Sequence, residues 1–332
     1  MLTDNDLHLI TERLCQPNFI PISKELDKKL GTVWIASGLA KISAFYGSFL
    51  MEKYAQRFSR FSTPLSYVQL PTPQCTPILI SLRGKHPDSI SVINHFLDKN
   101  RVDAIFLTAD AMGGVASIMK DNKRANNIIC TELPSRDKRT VNFNSIFILN
   151  SLIHHFVASS LDRRESLNID VKKLKKIFEK SQTIASDLVS EILNIKDWST
   201  KQFIILSNGI PSEIGITWQS IMSEAGLFTP VCSDLKDYTH GDHSAAVRTR
   251  ENIYIVISHP KTRLISDIFC ERFSLLFPVL YVNLDDSGVY GFWQNLFLAM
   301  NCASLLTASL GYTNQRLPKH PTVHNWRGWG DI

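Results

Sequence analysis

Residues 201–244, KQFIILSNGIPSEIGITWQSIMSEAGLFTPVCSDLKDYTHGDHS, hold the side chains best suited to chemistry. Glu224 ends a stretch that reads as a helix, and sixteen residues later His240 opens the polar run His240-Gly241-Asp242-His243. A carboxylate and an imidazole beside one substrate can move protons between its neighbouring atoms, and an imidazole changes charge near neutral pH. The segment begins as a buried strand, breaks in a small-residue turn and resumes as a helix. Such a unit presents backbone N–H groups to an anion. Together these features suggest a site for a small phosphorylated carbohydrate. The plainer alternative is a helix-end glutamate in solvent and a histidine that caps a turn.

The elements that must position these residues alternate between short apolar strands and helices. Strands are expected at residues 32–37, 65–70, 78–82, 104–108 and 127–132, with an amphipathic stretch at 39–58 and helices at 87–98, 111–120 and 144–158. An uninterrupted helical period at 169–193 reads as a long connecting helix. The pattern then resumes, with strands at 203–206, 253–258 and 279–283 and helices at 212–225, 261–273 and 290–309. This alternation predicts parallel α/β sandwiches. Trp34-Ile-Ala-Ser-Gly38 and Ile205-Leu-Ser-Asn-Gly209 lie about 170 residues apart, each a strand running into a small-residue turn, and predict a structural duplication. The expected organisation is an N-terminal helical segment (1–30) docked on a first domain (31–165), a linking helix (166–198), a second domain (199–310) and a tail (311–332).

At 332 residues the chain has room for two domains of about 150 residues each. Apolar content of 44% and charged content of 20% describe a globular protein, with apolar runs too short to span a bilayer. The N-terminus MLTDNDLHLITERL is too polar and acidic for a secretory signal, and the isolated cysteines, read as reduced thiols, lead to an expected cytoplasmic location. Net charge is +5, and its densest basic run, KKLKKIFEK at 172–180, reads as a solvated helix face rather than a nucleic-acid or membrane patch. The six cysteines contain no CxxC pair and read as reduced core thiols. Neither they nor His243, His320 and His324 form a zinc pattern, and no metal site is expected.

This layout resembles the double SIS-domain (sugar isomerase) proteins, among them the isomerase half of glucosamine-6-phosphate synthase. Three places carry the resemblance: Ser37-Gly38 after the opening strand, Ser81-Leu-Arg-Gly-Lys-His-Pro-Asp-Ser89, and the Glu224–His240 interval with Gly241 after the histidine. The resemblance implies two tandem SIS-type parallel-sheet sandwich domains with flanking helices in flavodoxin-like layers. It implies a sugar-phosphate ligand, no dissociable cofactor, and a homodimer in which the partner subunit supplies the histidine. Ser37 and Gly38 match the turn that touches the phosphate. The 81–89 segment matches a Ser-x-Ser-Gly-x-Thr-x-Asp-Thr phosphate loop, in which Ser81, Gly84, Asp88 and Ser89 are kept while Arg83 and His86 replace hydroxyl residues. Arginine binds phosphate bidentately, yet the same exchange can fill the pocket, and a plain surface loop with a helix cap remains open. Glu224 matches the ring-chemistry base and His240 the ring-opening histidine. Lys319, in Leu317-Pro-Lys319, matches a lysine that lies over the substrate, or is an ordinary exposed lysine.

Departures from the family count too. The synthase has a reactive lysine three residues before its glutamate, where this chain has Ile221. The segment around His240, with Pro134-Ser-Arg-Asp-Lys138 and Asn150-Ser151, is similar to a divergent SIS branch. The expected activity is a phosphosugar isomerase or a deglycase acting on a sugar-amine adduct; the alternative is a sensor that binds a sugar phosphate or nucleotide without turning it over. A further alternative is a partner-binding protein with closed pockets, whose tail residues Trp326, Arg327 and Trp329 dock elsewhere.

Overall fold

The computed structural model describes residues 1–15, 29–70, 74–131, 141–160, 167–208, 211–244 and 251–311, with the side chains of 211–213 left aside. They divide into two compact units, residues 9–168 and residues 1–8 with 169–311.

The chain opens with α1 (Asp4–Cys15). In the first unit follow β1 (Gly31–Ile35), α2 (Ala40–Ala55), β2 (Phe58–Ser62), α3 (Pro64–Gln69), β3 (Cys75–Ile80), α4 (Pro87–Asp98), β4 (Ile105–Thr108), α5 (Gly114–Asp121), β5 (Ile128–Cys130) and α6 (Phe143–Ser159). The five strands form one parallel sheet in the order β2-β1-β3-β4-β5. The central strands β1, β3 and β4 are buried throughout, as strands covered by helices on both faces must be. On one face α3, α4 and α5 pack through Tyr67, Phe96 and Val115 against Val33, Ile35, Leu79 and Phe106. On the other, Trp34 meets Phe156 of α6 edge to face at 6.0 Å. Its ring also lies so close to Gly47 of α2 that a Cβ there would come within 2.5 Å.

One expectation fails in this unit. Residues 65–70, read as a strand, form α3, and the strand lies earlier, at β2. Thr63 explains the helix: its hydroxyl accepts the Ser66 N–H at 3.3 Å, and Pro64 takes the first helical position. The expected 39–58 stretch stops at Ala55 because Gln56 turns left-handed (φ 52°) and releases the chain into β2.

Helices α2 and α6 pack in parallel register, Tyr46 opposite His154 and Met51 opposite Ser160. His154 is buried, with Nδ1 at 2.8 Å from the Tyr46 hydroxyl and Nε2 at 2.8 Å from the Leu167 carbonyl. That carbonyl only accepts, so Nε2 carries the proton and Nδ1 accepts from the tyrosine. Burial pushes the imidazole pKa down from 6.5 to about 4, against the Leu167 hydrogen bond, which raises it. Between those values the unfolded chain takes up a proton that the folded chain refuses. Stability is therefore full above pH 6.5 and falls as pH drops toward 4, by about 3 kcal/mol over the whole window. Urea midpoints at pH 7 and pH 5 should show this slope, and His154→Gln should flatten it. Equal slopes in both proteins would exclude His154 as the cause.

The second unit contains α7 (Val171–Asn194), β6 (Gln202–Ser207), α8 (Pro211–Glu224), β7 (Val231–Asp234), α9 (Leu235–Tyr238), β8 (Asn252–Ser258), α10 (Arg263–Phe273), β9 (Val279–Asn283) and α11 (Val289–Ser309). Its sheet is parallel in the order β7-β6-β8-β9. Helix α7, expected to connect domains, packs along α11, with Phe178 edge-on to Phe297 at 5.3 Å. Its lysines are solvent-side: Lys173 pairs with Asp286 at 3.1 Å and Lys180 with Asp285, while Leu174, Ile177 and Phe178 point inward. The N-terminal residues were expected against the first domain. Residues 9–15 do fall in that unit, with the Arg13 carbonyl 2.7 Å from His155 Nε2, but residues 1–8 join the second, where the Leu2 N–H donates to Asn301 Oδ1 at 2.7 Å and Gln182 donates to the Leu2 carbonyl at 2.9 Å.

All six cysteines are free; Cys75 and Cys302 are buried, Cys232 and Cys270 partly so, and Cys15 and Cys130 exposed. Among the described residues no helix is long and apolar enough to cross a membrane.

Candidate functional site

In an open parallel sheet, ligands bind beyond the carboxyl ends of the strands, where the strand order reverses. In the first unit that point lies between β1 and β3. The register pairs Ile35 with Leu79 and Ile80 with Leu107. Carried one or two residues further, it sets Ser37, Ser81 and Thr108 in one row on neighbouring strands about 4.8 Å apart. Thr108 is spent within the fold: its hydroxyl donates to the Leu82 carbonyl at 3.1 Å and accepts the Asp110 N–H at 3.1 Å. Ser37 and Ser81 are both half-buried at the edge. Gly38 follows in the left-handed region (φ +57°) with nothing within 4 Å of a Cβ built there, so backbone conformation, and not crowding, demands glycine.

The loop after β3 is held by backbone contacts. Ser81 Oγ accepts the Gly84 N–H at 3.2 Å, and the Gly84 carbonyl accepts the Val115 N–H at 2.9 Å. Gly84 is left-handed as well, and a Cβ on it would press on Phe106 and Val115 at 3.0 Å. The Arg83 carbonyl lies over Gly113, so close that a Cβ there would sit 2.0 Å from the oxygen. Arg83, Lys85 and His86 are exposed, with Lys85 Nζ 4.0 Å from Asp110. His86 caps α4, its Nδ1 accepting the Asp88 N–H at 3.3 Å, with Pro87 at the first helical position. Its ring is thus engaged where the resemblance implies a phosphate ligand. Ser89 is 4% exposed, on the inner side of the first turn of α4. The loop brings together two helix N-termini, a serine hydroxyl and two exposed cations, an arrangement that attracts an anion.

The second unit separates the other two candidates. Strands β6 and β7 run parallel, so α8 must carry the chain back to the amino edge, about 21 Å over its 14 residues. Glu224 ends that helix, exposed, just before a Schellman closure at Gly226 (φ +68°), where the Leu227 N–H reaches the Met222 carbonyl at 3.1 Å. His240 lies on the carboxyl side, two residues beyond the single turn of α9, and is also exposed. Strand β7, which had no counterpart in the expected elements, stands between them. Ile221 is wholly buried, so a core side chain fills the place of the synthase's lysine. Asn150 and Ser151 are buried in α6. Lys319, Gly209, the 134–138 segment and the aromatic tail lie outside the described residues.

Two residues that position the site were not anticipated. Gly113 admits the Arg83 carbonyl, and Thr108 ties β4 to the Leu82 carbonyl. The Gly113-Gly114 pair ahead of a helical stretch was the available signal.

The sequence matches no protein-family model and no curated protein. Solved structures do match. Glucosamine-6-phosphate deaminase from Thermotoga maritima superposes with a TM-score of 0.64 at 13% identity, over 92% of this chain and 95% of the other. Tagatose-6-phosphate ketose/aldose isomerase from Escherichia coli gives 0.63 at 14% identity, over 96% and 90%. The C-terminal domain of glucosamine-fructose-6-phosphate aminotransferase from Francisella tularensis gives 0.62 at 10% identity, over 91% and 94%. At such identities the likeness is one of architecture, and it agrees with the two parallel sheets and their flanking helices: the chain has the double-SIS fold.

Proposed function

We propose that the chain binds a phosphorylated sugar at the carboxyl edge of the first sheet. What supports this reading is the register of β1 and β3, which, continued past the Ile35–Leu79 pair, brings Ser37 level with Ser81 where the strand order reverses, next to a loop on which Arg83 and Lys85 are exposed. The phosphate is received by Ser81, Arg83 and backbone N–H groups of the 81–86 loop. The Ser37-Gly38 turn lies against the sugar, and no cofactor is required.

The chemistry proposed for the bound sugar is acid–base, as in an isomerase or a deglycase. His240 passes a proton at the ring oxygen and opens the ring; Glu224 moves a proton between C1 and C2 through an enediol. A deglycase reaction uses the same two groups. Because Glu224 and His240 lie toward opposite edges of one sheet, this reading draws them from the two copies of a homodimer. Lys319 is the lysine assigned to cover the substrate. Six free thiols suit a reducing, cytoplasmic setting. A second reading, a sensor without turnover, is favoured by the buried Ile221, which leaves no amine where the synthase has one.

A thermal-shift screen over hexose, pentose and amino-sugar phosphates tests the binding. A ligand at a hundred times its Kd adds about 2.7 kcal/mol, a shift of several degrees, and Arg83→Glu should reduce it. If no phosphorylated sugar stabilises the protein, both readings fall. Solvent proton exchange at C2 of any ligand found then separates them: an isomerase exchanges and loses this in Glu224→Gln while still binding, whereas a sensor never exchanges. Mixing Glu224→Gln with His240→Ala chains should restore about a quarter of the exchange if each site takes one residue from each copy.

A further inference from the structure

The second sheet repeats the polar row of the first. Its rows alternate regularly: Ile204, Tyr254 and Val279 share one, and Leu206, Val256 and Tyr281 the next, all on the face covered by Phe269 of α10. The next row at the carboxyl edge is Asn208, Ser258 and Asn283, since Ser258 pairs with Asn283 and Asn208 follows the Ser207–Ile257 pair. Strands β6, β8 and β9 occupy the places of β1, β3 and β4, so these three residues correspond to Ser37, Ser81 and Thr108. Apolar rows thus give way to a polar one at the point where strand order reverses in this sheet as well.

The Ser258 hydroxyl is spent on the fold, donating to the His259 carbonyl at 3.5 Å, but its two asparagine neighbours keep polar atoms that are not. Asn208 is 4% exposed, and its buried amide nitrogen finds no partner among the described residues. The buried Oδ1 of Asn283 finds none either. A buried amide without a partner costs about 1–3 kcal/mol, and such a group in a native fold calls for a reason. The loop after β8 repeats the device of the first loop: His259 precedes a proline, and its Nδ1 accepts the Lys261 N–H at 3.3 Å, as His86 does for Asp88. Lys261 and Arg263 are exposed at the start of α10, an 11-residue helix. The nearby carboxylates are occupied, Asp267 by the Tyr281 hydroxyl at 2.6 Å, Asp285 by Lys180 and Asp286 by Lys173.

We propose that the carboxyl edge of the second sheet is a second ligand site, distinct from the first, for a phosphorylated polyol. Asn208 supplies donors and Asn283 an acceptor to hydroxyl groups, while Lys261, Arg263 and the α10 N-terminus receive the phosphate.

Calorimetric titration of the full chain with fructose 6-phosphate tests this. The wild type should bind two equivalents per chain. Lys261→Glu combined with Arg263→Glu should weaken one of them by about ten-fold or more, and Arg83→Glu should weaken the other. A single equivalent that ignores the Lys261 and Arg263 changes overturns the second site. A single equivalent that ignores Arg83→Glu and responds to those changes supports it and removes the first-sheet reading instead. Asn208→Leu gives an independent check, because leucine fills the same space without a polar group. It should raise the melting temperature of the ligand-free protein and abolish the second equivalent. A lowered melting temperature with both equivalents retained would mark Asn208 as purely structural and defeat the proposal.

Discussion

Asp103→Asn is expected to remove about 3–5 kcal/mol from the stability of the first unit, the usual cost of breaking a buried ion pair from one side. Asp103 and Arg101 are only 5% and 12% exposed in their side chains and meet through two parallel bonds, Nε to Oδ1 at 2.9 Å and Nη2 to Oδ2 at 2.8 Å. Burial by itself would raise the Asp103 pKa, but hydrogen bonding and charge from Arg101 outweigh it and hold the carboxyl below its ordinary value. The guanidinium also donates to the Cys75 carbonyl and, at 3.3 Å, to the Tyr67 hydroxyl, so the pair ties the start of β3 to α3. Asparagine keeps the shape but takes the negative charge away from the buried guanidinium and from Lys29, whose Nζ lies 3.7 Å from Asp103. Urea unfolding of the first unit measures the loss, and a change below about 1 kcal/mol would show that water already screens the pair. Because the folded pKa is depressed, this stabilisation is complete above the unfolded carboxylate value near pH 4 and disappears as pH falls below it. Replacing both partners with apolar residues of similar size should recover most of the loss.

Gly113→Ala is expected to lower stability and ligand affinity together, because one contact serves both. The new methyl would stand 2.0 Å from the Arg83 carbonyl oxygen. The obstacle is backbone and has no rotamer to escape into, so the 81–86 loop must move by more than an ångström. Overpacking of this kind costs about 1–3 kcal/mol. Displacing the loop should also weaken fructose 6-phosphate binding at the first sheet by on the order of ten-fold, since charged donors lose their geometry. Melting temperature and titration measured on the same protein give both readings. Destabilisation with unchanged affinity would remove the 81–86 loop from the site.

Much of the fold was legible in the chain. Helix α4 was expected at the residues where it occurs because a proline opens it and an apolar face follows, and α7 and α11 declared themselves by long uninterrupted periods. The buried strands β1, β3, β4, β6 and β8 stood out as apolar runs. The weakly marked elements were edges. Strand β2, FSRFS, is half-exposed and alternating, and β7, VCSD, is four residues long with its first residue in solvent. Neither buries enough apolar surface to leave a strong trace, and the Leu-rich residues after Thr63 and Pro64 drew the expected strand into what is a helix.

The sequence by itself determined the layered α/β plan, its duplication, and the residue types at the strand ends, because burial on both faces and helical periodicity are written locally. It also singled out Glu224 and His240 by their spacing. Only the tertiary structure decided which of these residues share a neighbourhood. The parallel register, continued one or two residues past the last paired positions, brings Ser37 level with Ser81 and Asn208 level with Ser258, although each pair is separated by more than forty residues of chain. The same rule parts Glu224 from His240, since a parallel crossover must return the chain to the opposite edge of the sheet. Sixteen residues of sequence can be a contact or the depth of a sheet, and strand direction is what chooses between them.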